Sequence, residues 1–245
     1  MNRIHILNTN IDNYTMDETI GLIEESIDNQ NQLHHVAVNA GKIVAMQNDM
    51  ELRESVNSAD LINADGQAVV WASKILGKPL KERVAGIDLM NNLVSLAFRK
   101  NYKIFFFGAK EGTVKKLVKV YSDKYSKQIV AGYRNGYFKK NEEILIAEEI
   151  AKSGANILFV AISSPTKENF LFRHKDLLSK LDFIMGVGGS FDVVAGEISR
   201  APVWLQKLGL EWFYRFCQEP GRMWKRYLIG NIKFTFLVIR EQLKF

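Results

Sequence analysis

The chain has 245 residues, 47% of them hydrophobic and 24% charged, which is typical of a globular protein and excludes a disordered one. The single cysteine, Cys217, excludes a disulfide framework, and the four histidines are too scattered for a structural zinc site. No stretch reaches the roughly 18 apolar residues of a membrane span, and the N-terminus lacks the pattern of a secretory signal, so we expect a cytoplasmic protein.

The net charge of +6 is concentrated at one end of the chain. Residues 200–245 contain nine lysines and arginines but only three acidic residues, and the remaining residues balance. Three of the four tryptophans also lie in this segment. Such an asymmetry predicts an anionic partner for the basic segment.

The predicted elements alternate between strands and helices along the chain. Strands are predicted at 3–7, 35–38, 61–63, 103–107, 129–131, 156–162 and 182–185, and helices at 15–28, 67–75, 87–99, 113–125, 142–152 and 167–180. Strands that are apolar throughout, separated by helices, predict an α/β fold with a Rossmann-like, mostly parallel sheet and helices on both faces. We expect a catalytic domain over residues 1–199 and a helical, membrane-associating appendage over residues 200–245.

In parallel sheets of this kind, ligands bind outside the carboxyl ends of the strands. The residues that follow predicted strands are therefore the first candidates for a site. They are Asn39, Asp65, Gly108, the segment 163–165 and the segment 186–192.

Asp65 and Gly66 follow the third predicted strand. A carboxylate at this position is suited to act as a general base toward an acceptor hydroxyl. The dipeptide is equally typical of a turn, and Asp65 is also suited to cap the next helix.

A glycine-rich segment, Gly186-Val187-Gly188-Gly189-Ser190-Phe191-Asp192, follows the last predicted strand. Successive backbone N–H groups in such a turn can hold phosphate oxygens. The segment matches neither the P-loop nor the dinucleotide fingerprint. It is then either a nucleotide cradle, with Asp192 accepting hydrogen bonds from uracil or ribose, or a tight turn with Asp192 as a helix cap.

Two further segments allow both a structural and a functional interpretation. Arg83 and Asp88 flank Gly86 and form either an ion pair or a phosphate site. The segment 163–168 has ordinary helix-start chemistry, with a proline and an acidic residue. The chain contains no Asp-x-Asp motif, which favours a site without metal or other cofactor, where arginines and backbone amides neutralise a leaving group.

The basic C-terminal segment combines cations with aromatic and apolar residues. Arg215, Arg222 and Arg226 are spaced seven and four apart, although Pro220-Gly221 is expected to break the helix between them. Residues 229–239 then carry apolar side chains at helical spacing, which is the pattern of an interfacial helix at an anionic membrane. A terminal helix packed on the domain, a dimer-forming helix and a nucleic-acid-binding helix are the alternatives, the last disfavoured because no nucleic-acid motif is present.

Together these residues resemble one family, the WecG/TagA/CpsF glycosyltransferases (glycosyltransferase family 26) of bacterial surface-polymer assembly. The resemblance extends from about His35 to Tyr227. It rests on ordered motifs: Val38-Asn39-Ala40, Ala59-Asp60-Leu61 through Asp65-Gly66, Arg83 to Asp88, Phe107-Gly108, Gly186 to Asp192, Ala195-Gly196, Arg200-Ala201-Pro202, Gly209-Leu210-Glu211-Trp212, Tyr214-Arg215, Glu219-Pro220 with Arg222, and Arg226-Tyr227.

The resemblance implies an inverting, metal-independent transfer from a UDP-sugar to an undecaprenyl-diphosphate-linked sugar at the inner face of the membrane. It implies that Asp65 is the catalytic base. The expected substrate-binding residues are Asn39, Arg83, Asp88, Gly108, Tyr137, Lys167, Gly186, Gly188, Gly189, Asp192, Arg215, Arg222 and Arg226. A homo-oligomer is compatible with the family, nucleic acid is not an expected partner, and a non-catalytic nucleotide-sugar-binding protein at the membrane is the alternative function.

The chain departs from the family pattern at two places. Ala37 stands where a threonine is common, two residues before Asn39. In the common Gly-x-Pro-Lys-Gln-Glu motif, Ser163 replaces the glycine, and Thr166-Lys167 replaces Lys-Gln. Both positions are expected near the donor, so they bear on the specificity for N-acetylmannosamine more than on the reaction class.

Overall fold

The computed structural model describes residues 2–224 and 229–243, without the side chains of Arg222 and Met223. The strands are β1 (Arg3–Ile6), β2 (Thr9–Asp12), β3 (Leu33–Val38), β4 (Leu61–Ala64), β5 (Ile104–Gly108), β6 (Val130–Arg134), β7 (Ile157–Ala161) and β8 (Phe183–Gly186). The α-helices are α1 (Met16–Asp28), α2 (Ala40–Met46), α3 (Met50–Asn57), α4 (Gln67–Ile75), α5 (Gly86–Lys100), α6 (Glu111–Lys124), α7 (Glu143–Lys152), α8 (Thr166–Arg173), α9 (Ser190–Val194), α10 (Val203–Lys207), α11 (Glu211–Gln218), α12 (Pro220–Trp224) and α13 (Gly230–Gln242).

The predicted α/β fold and parallel sheet are confirmed. Within the described residues, six strands form one sheet in the order β4-β3-β8-β7-β5-β6, and every neighbouring pair is parallel. Parallel pairing brings the carboxyl ends of all these strands to one edge of the sheet. The residues that follow the strands are therefore gathered at this edge.

Sequence analysis missed β2, which pairs with β1 in an antiparallel hairpin. The turn residues Leu7 and Asn8 both have positive φ, 48° and 59°. Such a turn is usually signalled in the sequence by Asn-Gly, but here its first residue is a leucine. Arg3 donates to both carboxylate oxygens of Asp12 at 2.8 and 2.7 Å, and Asp12 also accepts from the Ile62 N–H at 2.8 Å. The hairpin is thereby attached to β4.

A capping box between Thr15 and Glu18 starts α1, where the helix was predicted to begin. The Glu18 N–H donates to Thr15 Oγ1 at 3.2 Å, and the Thr15 N–H donates to Glu18 Oε2 at 2.8 Å. The single helix predicted over 167–180 is wrong, because α8 ends at Arg173 and a separate 3₁₀ helix covers Leu177–Lys180. Arg173, the last residue of α8, and His174, which follows it, both contact Glu143, at 3.0 and 3.3 Å.

Helices cover both faces of the sheet. One face packs its apolar side chains against α1, α5, α6 and α9. The other face packs against α2, α3, α4, α7 and α8, and α13 joins it because Phe234 and Val238 are buried in the same cluster as Val38 and Ile62. The last helix therefore contributes to the core of the protein, whereas the domain boundary at residue 199/200 stays a prediction. None of the described helices is both long enough and apolar enough to span a bilayer.

Candidate active site

Asn39 and Asp65 lie side by side at the carboxyl ends of β3 and β4. The Asp65 N–H continues the strand pairing by donating to the Val38 carbonyl at 2.9 Å. Gly66 fits closely against the neighbouring strand end, since a Cβ on it would lie 3.0 Å from Asn39 Cβ. Asn39 also caps α2, with its Oδ1 accepting from the Lys42 N–H at 3.1 Å.

The half-buried carboxylate of Asp65 is held by the start of α5. Its Oδ1 accepts from the Gly86 N–H at 2.9 Å. Helix α4, which follows Asp65, begins after Gly66 and has no side-chain cap. The carboxylate is therefore oriented by a helix elsewhere in the chain, and it does not cap the helix that follows it.

The side chain that precedes the glycine-rich segment reaches the same glycine, Gly86. A Cβ placed on Gly86 would lie 3.8 Å from Asp65 Oδ1 and 3.6 Å from Met185 Cε, so both groups face Gly86. Met185 directly precedes Gly186, the last residue of β8. The Met185 side chain therefore reaches toward the candidate base, while Asp65 and Gly186 end strands that are separated by β3.

Two cations flank the glycine-rich segment. A side chain on Gly186 would collide with Lys167, whose Nζ lies 2.8 Å from the position of such a Cβ, and one on Gly189 would collide with the Arg215 guanidinium. Gly188, between them, has a φ of +55°, which favours glycine. The glycines thus allow an ammonium and a guanidinium to lie directly against the backbone, where the sequence predicted a site for phosphate oxygens.

Lys167 belongs to a buried charge cluster that sequence analysis did not find. Glu168 Oε1 contacts Lys42 Nζ at 2.9 Å and Lys167 Nζ at 3.2 Å. Burial opposes ionisation of Glu168, but the two lysines outweigh it and lower its pKa to about 2. Lys42 and Glu168 are 126 residues apart in sequence, so no local pattern indicated their pairing.

The histidines of β3 are structural neighbours of this cluster. Burial lowers the pKa of His35 to about 3, so its ring is neutral at physiological pH, and its Nε2 lies 3.0 Å from Asn63 Oδ1.

In the described part of the chain, no group of three or more His, Cys, Asp or Glu side chains is arranged to hold a metal ion.

Arg83 and Asp88 do not pair with each other. Arg83 Nη1 contacts Glu211 Oε2 at 2.7 Å. Asp88 accepts from both terminal nitrogens of Arg200, at 2.6 and 2.7 Å. The predicted ion pair between Arg83 and Asp88 is therefore wrong, and each of the two residues pairs with the C-terminal segment instead.

Gly108 and Tyr137 lie farther along the same edge. Gly108 ends β5, which is separated from β8 by β7, so it is about 10 Å from Gly186 by strand spacing. Its φ is +133°, and a Cβ there would lie 2.5 Å from the Ala161 carbonyl. Tyr137 is 71% exposed. These two residues border the edge without a described contact to Asp65.

The predicted break at Pro220 is confirmed, because α11 ends at Gln218 and α12 begins at Pro220. Arg215 lies on α11 and faces Gly189. Arg222 is in α12, with a side chain outside the described atoms, and Arg226 lies outside the described residues.

Comparison with known proteins identifies the family. Residues 4–245 match the sequence profile of the Glycosyl transferase WecG/TagA/CpsF family. The chain belongs to the WecG/TagA/CpsF family of glycosyltransferases. A relative from Bacillus subtilis strain 168 is 34% identical over 85% of this chain and 83% of its own length, and one from Bacillus spizizenii strain W23 is 38% identical over 81% and 75%. Both relatives carry the name N-acetylglucosaminyldiphosphoundecaprenol N-acetyl-beta-D-mannosaminyltransferase.

In this WecG/TagA/CpsF glycosyltransferase, α13 exposes a second apolar face opposite the buried one. Ile232, Phe236 and Ile239 are 64%, 66% and 52% exposed, whereas Phe234 is only 4% exposed. Lys233 and Arg240 are exposed on the same helix. The helix thus combines a core-facing side with an apolar and basic outward side.

Proposed function

We propose that this glycosyltransferase inverts the anomeric centre of a UDP-sugar and transfers the sugar to an undecaprenyl-diphosphate-linked acceptor sugar in surface-polysaccharide or teichoic-acid synthesis. The observation that carries the proposal is the position of the Asp65 carboxylate, held by Gly86 at the edge of the sheet where β8 also ends. The names of the two Bacillus relatives supply the acceptor class.

Asp65 acts as the general base in this mechanism. It removes the proton from an acceptor hydroxyl while that oxygen attacks the anomeric carbon, and UDP leaves from the opposite face. The hydrogen bond from Gly86 fixes one carboxylate oxygen, so the carboxylate keeps its orientation. Asn39, beside it, is suited to bind a hydroxyl of the reacting sugar.

Negative charge develops on the diphosphate as UDP leaves. The backbone amides of the segment 186–192, with Arg215 against Gly189 and Lys167 against Gly186, stabilise this charge more in the transition state than in the ground state. Arg222 and Arg226 of the tail add to this role. In this proposal the cations take the place of a metal ion, so chelation leaves activity unchanged.

The donor sugar is a hexose or N-acetylhexosamine, and N-acetylmannosamine and its uronic acid are the first candidates. The relatives' names include the mannosaminyl group. Two departures from the common family pattern lie near Asn39 and Gly186. Ala37 is two residues before Asn39, and Lys167 lies against Gly186. A cation at position 167 favours a donor that carries additional negative charge.

The acceptor is lipid-linked, so the enzyme works at the inner face of the cell membrane. The exposed apolar side of α13 with Lys233 and Arg240 fits an anionic lipid surface. The competing role of this helix is to form a homo-oligomer through the same exposed surface.

The experiment is a panel of UDP-sugars offered with a synthetic undecaprenyl-diphosphate N-acetylglucosamine, with UDP release and product anomer as readouts. We expect one N-acetylhexosamine or uronate donor to give turnover with inversion, with and without EDTA. Binding of UDP without turnover on any donor would instead support the non-catalytic nucleotide-sugar-binding protein.

A further inference from the structure

Four charged side chains join the C-terminal segment to the start of α5 and the residues before it. Arg83 contacts Glu211 at 2.7 Å, and Arg200 contacts the other oxygen of Glu211 at 3.4 Å. Arg200 also binds both oxygens of Asp88. The four side chains are between 16% and 39% exposed, so solvent only partly screens them.

The segment 83–88, which runs into the first turn of α5, also touches the candidate base. The Val84 N–H donates to the Ala64 carbonyl at 3.0 Å, and the Gly86 N–H donates to Asp65 Oδ1 at 2.9 Å. The backbone of this segment therefore contacts the end of β4 and Asp65, and the side chains at its two ends contact the C-terminal segment.

Glu211 itself is attached to the body of the protein. It is the first residue of α11, and the turn before it contains Gly209 with a φ of +72°. A Cβ on Gly209 would collide with Gln67 and would lie 3.3 Å from a ring carbon of Trp71, so this turn lies flat on α4. Glu211 thus presents its carboxylate to Arg83 from a segment with a defined position.

We propose that Glu211 and Arg200 are positioning residues for sugar transfer: Glu211 holds the Arg83 guanidinium at the sheet edge, and Arg200, bound to Asp88, holds Glu211. This inference rests on the proposed function and on the expectation, from the family resemblance, that Arg83 binds substrate. An arginine side chain has several rotatable bonds, and misplacement of a binding group by about 1 Å costs up to about 100-fold in rate.

A double-mutant cycle tests the inference on the full-length protein. The variants are Glu211→Gln, Arg83→Gln and the double variant, measured for kcat, KM and UDP affinity by calorimetry. The control is Glu24→Gln, which breaks the ion pair of 2.7 Å between Glu24 and Lys100, before the amino ends of β3 and β5. We expect Glu211→Gln to lower kcat/KM by about 10- to 100-fold with an unchanged melting temperature. Glu24→Gln retains wild-type kinetics.

The decisive comparison is made in the Arg83→Gln background. If Glu211 acts through Arg83, Glu211→Gln adds no further loss there, whereas independent effects multiply. Arg200→Gln is expected to match Glu211→Gln. Multiplying losses, or a Glu211→Gln enzyme within about twofold of wild type, would overturn the inference. A wild-type enzyme that gives no turnover on any donor refutes the proposed function instead, and the cycle is then decided on UDP affinity alone.

Discussion

Asp65 Oδ1 lies 2.9 Å from the backbone nitrogen of Gly86, the first residue of α5. This contact joins the carboxyl end of strand β4 to the N-terminus of the 15-residue helix α5. A carboxylate held between two regular elements keeps its orientation better than one held on a loop alone. The relationship explains how a residue in an Asp-Gly turn can serve as a base of defined direction.

The first prediction concerns this carboxylate. Asp65→Asn keeps an acceptor for the Gly86 N–H but removes the base, so we expect kcat to fall by about 100- to 10,000-fold while UDP still binds. UDP release and calorimetry measure the two effects. Asp49→Asn is the control, because asparagine caps a helix as well as aspartate does and Asp49 caps α3. Turnover retained by Asp65→Asn would exclude Asp65 as the base.

The second prediction concerns the contact between Gly189 and Arg215. The added methyl of Gly189→Ala collides with the Arg215 guanidinium, so we expect Arg215 to be displaced and UDP affinity to fall by about tenfold, the cost of one weakened charge-assisted hydrogen bond. Gly112→Ala, where no atom lies within 4 Å, is the matched control and should bind UDP normally. Equal affinities in the two variants would remove Arg215 from the nucleotide site.

The third prediction concerns acid stability. Because burial lowers the pKa of His35 to about 3, the folded state keeps this ring neutral while the unfolded state takes up a proton below about pH 6.5. The unfolded state thus binds more protons, and the free energy of unfolding falls as pH falls, by up to about 1.4 kcal/mol per pH unit from this group. Urea titrations between about pH 7 and pH 5 should show a shallower pH dependence for His35→Gln than for wild type. Parallel slopes would contradict the neutral, buried ring.

The fourth prediction separates the two sides of α13. Phe234 is buried against the core and Phe236 is 66% exposed. Phe234→Ala should lower the free energy of unfolding by about 3 kcal/mol, whereas Phe236→Ala should leave it unchanged. Vesicles containing anionic lipid should instead bind Phe236→Ala less well than wild type. Undiminished vesicle binding would argue against the outward side as the membrane contact.

Much of the architecture could be predicted because it is encoded locally. Helix α4 spans the predicted residues 67–75, and the Thr15 capping box is formed at the start of α1. Apolar strands separated by amphipathic helices are sufficient to indicate a parallel sheet, and the sheet brings Asn39 and Asp65 to one edge. The missed strand β2 follows a turn with Leu7 at positive φ, where leucine gives no turn signal.

The partners of the site residues could not be predicted. Arg83 was assigned to a phosphate or to Asp88, and the structure pairs it with Glu211. Asp88 and its partner Arg200 are 112 residues apart, and Lys42 and Glu168 are 126 residues apart. Sequence periodicity reports which face of an element is apolar, but it contains no information on which distant charges meet.

The sequence by itself determined the α/β class, the edge of the sheet where ligands are expected, the Asp65 candidate and the family motifs, because these follow from side-chain periodicity and from short ordered patterns. Only the tertiary structure decided that Gly86 orients Asp65, that Lys167 and Arg215 flank the glycine-rich segment, and that the C-terminal segment binds the segment 83–88. The physical reason is that hydrogen bonds and ion pairs act over a few ångströms in space, and the fold alone brings those groups together.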